Sequence, residues 1–412
     1  MVFNEEIGIK KVLIVGLDLV ALARSLKELG MKVYSSDFFG DQDLLQLCED
    51  SLSIIKQRGG TSCGYLEGMF NPQEIVDGAL RLNEKYSVDA CLLSSGLEDD
   101  YEALAKLYEE VKVVGNSLES IRSVRDRKEF FRILKSLSIE HPFTIIVSDF
   151  EEAKRSAKDI GYPVMLKPCY GCGGSNIHLA QNVDELRKLY EAHFKHHEEF
   201  VIQEFVDGVP MSASILSTRN NATVLTINRQ LLGLKITGQK ESFGYCGNIV
   251  PARVDKKIER KIESVAKRII AKFRLKGSNG IDFVLSSGKI FVIEVNPRFQ
   301  GTFECVERAL NINLAETHLK ACLNNELPKI DRINKFVYTR MILYAPKRLR
   351  VPDLSCFKEV RDIPFEGVIV EEGEPLCSLI TKGVTEEEAY ERAVKYAEKI
   401  FNYIFSMQNL SS

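Results

Sequence analysis

Gly280-Ile281-Asp282-Phe283-Val284-Leu285-Ser286-Ser287-Gly288-Lys289-Ile290-Phe291-Val292-Ile293-Glu294-Val295-Asn296 reads as two strands joined by a tight turn. β-branched and aromatic residues fill both arms, and the Ser-Gly pair between them is turn chemistry. A three-residue loop at Ser287-Gly288-Lys289 pairs Ser286 with Ile290 and sets Asp282 opposite Glu294. Two-residue alternation then puts Asn296 on the Glu294 face and leaves Ile281, Phe283, Leu285, Phe291, Ile293 and Val295 as a core face. A two-residue turn would instead split the acids onto opposite faces. Facing carboxylates repel unless a cation lies between them, and an Asp/Glu/Asn oxygen set suits Mg²⁺ with phosphate oxygens completing its shell. The plain alternative is a solvated sheet face carrying coincidental acids.

The chain around this hairpin has 412 residues, enough for about two to four domains with cores of their own. Its 55 Lys and Arg against 58 Asp and Glu give a formal charge of −3, without the basic excess of a nonspecific nucleic-acid coat. With 45% apolar and 27% charged residues the composition is that of a globular protein. The opening residues lack a secretory pattern, no window approaches a membrane span, and ten scattered cysteines read as reduced thiols, so a cytoplasmic protein is expected.

The first hundred residues alternate strand-like and helix-like runs, with strands at Lys11–Gly16, Met31–Tyr34, Ser53–Ile55, Ala90–Leu93 and Val111–Gly115. That alternation predicts a parallel α/β sheet. The turn after Val15 carries one glycine where a dinucleotide fingerprint wants three, which favours a scaffold role. A single helix is expected over Ser120–Leu137, followed by closely spaced strands from Val164 to Asn228 that imply an antiparallel α+β region. After Lys335 come strands at Val337–Leu343 and Gly367–Val370 and a long helix opened by Thr385-Glu386-Glu387-Glu388.

Two further stretches suit an anionic nucleotide. Lys167 ends an apolar strand and is followed by Gly171-Cys172-Gly173-Gly174-Ser175, whose backbone N–H groups can approach phosphate while the lysine supplies a point charge. An ordinary hairpin turn fits equally, and Cys169-x-x-Cys172 has no second pair to complete a zinc site. Phe200-Val201-Ile202-Gln203-Glu204-Phe205-Val206-Asp207-Gly208 offers a backbone edge and apolar walls of the kind an adenine needs.

In this order, the lysine, glycine loop, Gln-Glu-Phe-Val, Asp-Phe-Val and Glu-Val-Asn-Pro-Arg motifs resemble the ATP-grasp superfamily of carboxylate–amine and carboxylate–thiol ligases. The likeness runs from about Val111 to Leu323 and is nearest to biotin carboxylase, the carbamoyl-phosphate synthase large subunit and archaeal-type carboligases of cofactor biosynthesis. It implies an N-terminal α/β domain over 1–115, an ATP-grasp domain of two α+β subdomains over 116–325 and a small α+β domain over 326–412. It implies ATP held by Lys167, Gly173, Gly174 and Ser175, with Gln203, Glu204, Phe205 and the Val206 backbone at adenine. Asp282, Glu294 and Asn296 would hold two Mg²⁺ or Mn²⁺ ions, with Arg298 near the transferred phosphate.

Two positions depart from the family pattern. Arg127 replaces the usual lysine, with Lys128 as an alternative phosphate contact, and Pro210 replaces the ribose-binding acid, leaving Asp207 or water for that task.

The reaction implied is formation of an acyl phosphate, then its displacement by the amine of an amino acid or a cofactor precursor, releasing ADP and phosphate, with small-molecule substrates, no nucleic acid, no membrane and a possible homodimer. Asn228, Arg229, Gln230, Gly247, Arg298 and Gly301 are the candidate substrate contacts, against a plain reading as strand edge and surface loop. Two rivals are a NAD(P)-dependent oxidoreductase built on the front sheet and a non-catalytic nucleotide-binding subunit.

Overall fold

The computed structural model describes residues 7–171, 173–330 and 335–409; Cys172 of the Cys-x-x-Cys pair lies outside them. Four strands, β1 (Lys11–Gly16), β2 (Lys32–Asp37), β3 (Asp50–Ser53) and β4 (Ala90–Leu93), form a parallel sheet in the order β3-β2-β1-β4. Val12 to Val15 are fully buried, as expected of a strand covered on both faces. The strand expected at Ser53–Ile55 lies at Asp50–Ser53. Val111–Gly115 makes only one parallel bridge, Cys91 to Val113, because the chain leaves the sheet edge at once.

A second, antiparallel sheet of β5 (Thr144–Val147), β6 (Val164–Pro168), β7 (His178–Ala180) and β8 (Phe200–Glu204) has the order β5-β8-β6-β7. Facing it is a long antiparallel sheet of β9 (Val209–Ser217), β10 (Ala222–Leu232), β11 (Tyr245–Val250), β12 (Gly277–Ser286), β13 (Lys289–Asn296) and β14 (Val337–Tyr344). A small ribbon of β15 (Leu349–Arg350) and β17 (Ile369–Val370) stands apart, while β16 (Val360–Arg361) and β18 (Pro375–Gly383) finish the long sheet in the order β13-β12-β9-β10-β11-β14-β18-β16. The strands after residue 335 thus extend the sheet that carries the Asp282 hairpin.

The hairpin itself departs from the expected loop. Its turn has two residues, Ser287 and Gly288, both with positive φ (47° and 74°), which is the type I′ geometry that matches strand twist. Ser286 therefore pairs with Lys289, and register continues to Phe283 opposite Val292. A β-bulge then leaves Ile293 unpaired, and Asp282 falls opposite Glu294 after all. The bulge restores what the short turn takes away. It also revises the core face: Ile290, Val292 and Val295 are buried with Ile281 and Phe283, whereas Ile293 turns to the cavity side with Glu294.

The helix expected over Ser120–Leu137 is two helices, Leu118–Arg125 and Arg127–Ser136. Asp126 breaks it by leaving the helical region (ψ 100°) and capping the second helix, its carboxylate accepting from the Glu129 N–H at 3.0 Å. The corner so made places Arg125 and Arg127 on either side of one bend.

His318 ties the front sheet to the long one. The Ser278 N–H donates to its Nδ1 at 2.9 Å, which fixes the proton on Nε2, 2.9 Å from the Val114 carbonyl oxygen. Burial pushes this imidazole down to about 4 from the usual 6.5. Folding thus holds it neutral while the unfolded chain would protonate it near pH 6.5, so its contribution is intact above 6.5 and is lost as the pH falls toward 4. Each pH unit between those two values is worth about 1.4 kcal/mol, so the loss is about 3 kcal/mol. Urea unfolding at pH 7 and pH 4.5 should show this acid sensitivity, and His318→Gln should remove that share of it.

Among the described residues no helix is long and apolar enough to cross a membrane. The nine cysteines described are free thiols, six of them buried.

Candidate active site

A cavity of about 590 Å³ opens where the three sheets meet. The loops at the carboxyl ends of β1, β2 and β4 supply Asp18, Asp41 and Glu98 to its wall; the four-stranded antiparallel sheet supplies Met165, Lys167 and Gln203. The hairpin supplies Asp282, Ile293, Glu294 and Asn296. Binding at the carboxyl ends of parallel strands is the general habit of open α/β sheets.

The hairpin acids and the basic residues around them form its charged centre. Asp282 and Glu294 lie within hydrogen-bonding reach of each other, and Asn296 Nδ2 donates to Asp282 Oδ2 at 3.0 Å. Burial, then the charge of Glu294, pushes Asp282 up to about 8. Burial acts the same way on Glu294, but Arg125, Arg127 and Lys167 outweigh it and hold that carboxyl below its usual range. Two like charges this close cannot both ionise without a cation (the rule for paired carboxylates), so the proton stays on Asp282. Two carboxylates and an amide oxygen fit Mg²⁺, which commonly takes one or two protein carboxylates and fills its shell with water and phosphate. Among the described residues there is no group of three or more His, Cys, Asp or Glu that could hold a metal unaided.

Lys167, at the end of β6, donates from Nζ to Gln203 Oε1 at 2.7 Å. Burial and the neighbouring Arg127 push its ammonium down to about 8, against the pull of Glu294. Arg127 reaches Glu294 Oε2 at 4.0 Å and donates from Nε to the Cys169 carbonyl at 2.6 Å. Lys128 points away, paired with Glu199 on the surface, because consecutive residues at a helix start face different ways. Arg298 donates from Nε to Glu98 Oε1 at 2.8 Å. Burial opposes the charge of Glu98, but Arg298 and Arg125 more than offset it.

The glycine loop lies folded down. The Tyr245 N–H donates to the Gly173 carbonyl at 2.9 Å and the Asn176 N–H to Glu241 Oε2 at 3.2 Å. Gly174, at φ +75°, passes so close to the Phe243 carbonyl that a Cβ would collide with it. Ser175 is exposed. Across the cleft, Glu204, Phe205 and Val206 line the cavity, and Glu204 exchanges bonds with Phe143, its carboxylate accepting at 3.0 Å. Asp207 is exposed and off the cavity wall, since the chain turns outward there into β9.

The candidate substrate residues divide by strand alternation. Gln230 lines the cavity, and Asn228 on the same face is buried, donating to Ser212 Oγ at 3.2 Å and Ser214 Oγ at 3.1 Å. Arg229 faces the other way and pairs with Glu386 at 3.3 Å. Gly247 sits inside the sheet, where a Cβ would strike the Arg340 carbonyl; it admits the strand and lies off the wall of this cavity. Gly301 lines the wall beside Arg340.

Three residues that sequence reasoning missed complete the centre. Arg125 grips Asp99 at 2.5 and 2.7 Å, Asp99 also accepts from the Gly171 N–H at 3.0 Å, and Glu98 holds Arg298. The available signal was Ser94-Ser95-Gly96-Leu97-Glu98-Asp99-Asp100, a polar loop directly after a parallel strand.

A family model described as an ATP-grasp domain matches residues 124–302. The chain contains an ATP-grasp domain. Its match begins at the Arg125–Arg127 corner and ends just past Arg298, so it brackets Asp282, Glu294 and the cations around them, while Glu98 and Asp99 lie before it. Over 95% of its length the chain is 26% identical to an uncharacterised protein of Methanocaldococcus jannaschii, of which it covers 94%. It is 24% identical over 306 residues to the carbamoyl phosphate synthase large chain of Clostridium acetobutylicum, and spans only 28% of that protein. Among solved structures, the Campylobacter jejuni biotin carboxylase–β,γ-ATP complex matches with a TM-score of 0.72 at 19% identity, over 94% of this chain and 90% of that one. An ADP complex of N5-carboxyaminoimidazole ribonucleotide synthetase matches with a TM-score of 0.68 at 15% identity, over 96% and 97%. Those structural likenesses are of fold.

Removing one of the paired acids should relieve repulsion yet destroy the cation site. Asp282→Asn is expected to keep or slightly raise thermal stability without nucleotide, while weakening MgATP binding by about tenfold or more. Calorimetric titration of MgATP checks it.

Proposed function

We propose that the protein is an ATP- and Mg²⁺-dependent ligase that joins a carboxylate to an amine through an acyl phosphate, releasing ADP and phosphate. The observation that carries the reading is the half-buried Asp282–Glu294 pair, ringed by Lys167, Arg125, Arg127 and Arg298 inside an ATP-grasp domain. Among the described residues of this centre no serine, cysteine or histidine is set up as a nucleophile, and the proposed chemistry needs none.

Asp282, Glu294 and Asn296 would hold the Mg²⁺ ions, two in number, and these would supply positive charge against the triphosphate. Lys167 and Arg127 bind the triphosphate, and the buried surroundings that depress the Lys167 ammonium give its charge added effect on an anion. Glu204, Phe205 and Val206 receive adenine. Arg298, held by Glu98, orients the substrate carboxylate, one of whose oxygens attacks the γ-phosphorus as the bond to the ADP oxygen breaks. The amine nitrogen then adds to the acyl carbon, phosphate departs, and the nitrogen gives up a proton. An acyl phosphate hydrolyses in water, so the glycine loop resting on Phe243 and Tyr245 protects it.

The test is ADP release with Mg²⁺ across a matrix of carboxylates and amines. ADP formed only when a matching pair is present supports the ligase. ADP bound tightly with no turnover for any pair would point to a non-catalytic subunit. Glu294→Gln should lower turnover by about a hundredfold or more with the fold retained.

A further inference from the structure

The cavity has a second polar end, remote in sequence from the hairpin. Arg340 on β14 is buried there and donates to Asp18 Oδ2 at 2.5 Å and Oδ1 at 3.2 Å, to Asp362 Oδ2 at 3.1 Å and to the Gly301 carbonyl at 2.8 Å. Asp41 lines the same wall, and its carboxylate accepts one hydrogen bond among the described residues, from Gln57 at 3.3 Å. Two carboxylates, Asp18 and Asp362, therefore meet one guanidinium, and Asp41 stands near enough to Asp362 to feel its charge. Burial, then Asp362, Asp43 and Asp37, pushes the Asp41 carboxyl well above its usual range, so this end bears more acid than its own cation neutralises.

A second observation points to a ligand. Asn248 on β11 is 2% exposed and lies on the cavity wall. The Tyr245 hydroxyl donates to its Oδ1, which orients the amide, and its Nδ2 has no hydrogen-bond partner among the described residues. A buried amide N–H₂ without an acceptor has lost its hydration with nothing in exchange. The occupant must therefore bring positive charge for the acids and an acceptor oxygen for Asn248. A divalent metal fits poorly, since Arg340 already takes oxygens of Asp18 and Asp362 and no group of three metal-binding side chains gathers here among the described residues. A nucleotide phosphate fits worse, because excess acid repels it.

We propose that this end of the cavity is the subsite for the amine partner, taken as a free amino-acid-like molecule with its ammonium against Asp41 and Asp362 and its carbonyl or carboxylate oxygen on Asn248. This rests on the ligase reading and names the chemical class of its second substrate. Calorimetric titration of the full chain saturated with MgADP tests it, using the common L-amino acids as probes and their N-acetyl forms as controls. At least one free amino acid should bind, with its N-acetyl form weaker by about tenfold or more, and Asp41→Asn should weaken the free form by a similar factor while ADP affinity stays unchanged. Should Asp41→Asn fail to fold, Asn248→Ala carries the same expectation. N-acetyl forms binding as tightly as free ones, or no probe binding at all, would overturn the subsite. Because binding is read without turnover, amino acid binding with no ADP release for any substrate pair would sink the ligase reading and leave the subsite standing.

Discussion

Two carboxyl groups, Asp282 and Glu294, are held together in a half-buried place where neither would choose to be. The cost is set by electrostatics: adjacent like charges in a poorly solvated site force one of them to keep its proton. The fold accepts that cost by surrounding the pair with Lys167, Arg125 and Arg127, and those cations in turn need their own partners. Asp99 for Arg125 and Glu98 for Arg298 are consequences of the same constraint, one layer further out. A site built this way is poised for a divalent cation with polyanionic cargo, which would satisfy both signs at once.

The same constraint explains why several distant segments must meet. The hairpin alone cannot neutralise its acids, so the Arg125–Arg127 corner and the end of β6 supply cations, and the loop after β4 supplies the balancing acids. His318 and Asn116 stitch these parts together; Asn116 Nδ2 donates to Asn279 Oδ1 and to the Pro297 carbonyl, both at 2.8 Å. Alignment of the charged centre is therefore a property of the packed whole, and a change at such a joint can disturb chemistry it never touches.

Much of this was legible in the sequence because it depends on short-range pattern. The parallel front sheet followed from alternating apolar runs, whereas the facing of Asp282 and Glu294 was expected from a three-residue turn that the hairpin does not have. Alternation alone does not produce that facing, however: the turn has two residues, and only the unpaired Ile293 brings the acids back to one side. A bulge leaves little mark on composition, so periodicity cannot announce it. The break at Asp126 was hidden likewise, since apolar spacing runs through it while a capping carboxylate ends one helix and begins another. Glu98, Asp99 and Arg340 were missed because their roles arise from tertiary contacts up to hundreds of residues apart. The difference between Arg127, facing Glu294, and Lys128, facing solvent, required helix phase that the break had shifted.

The hairpin acids are proposed to share divalent cations with a nucleotide. The most direct measurement is a crystal structure with Mn²⁺ and a non-hydrolysable ATP analogue, using manganese anomalous scattering to locate metal. An anomalous peak bonded to Asp282 and Glu294 oxygens is expected, with the analogue's phosphates completing its shell and Lys167 on the same phosphates. Phosphates bound elsewhere, or a pair still joined by a proton with no metal beside it, would contradict it.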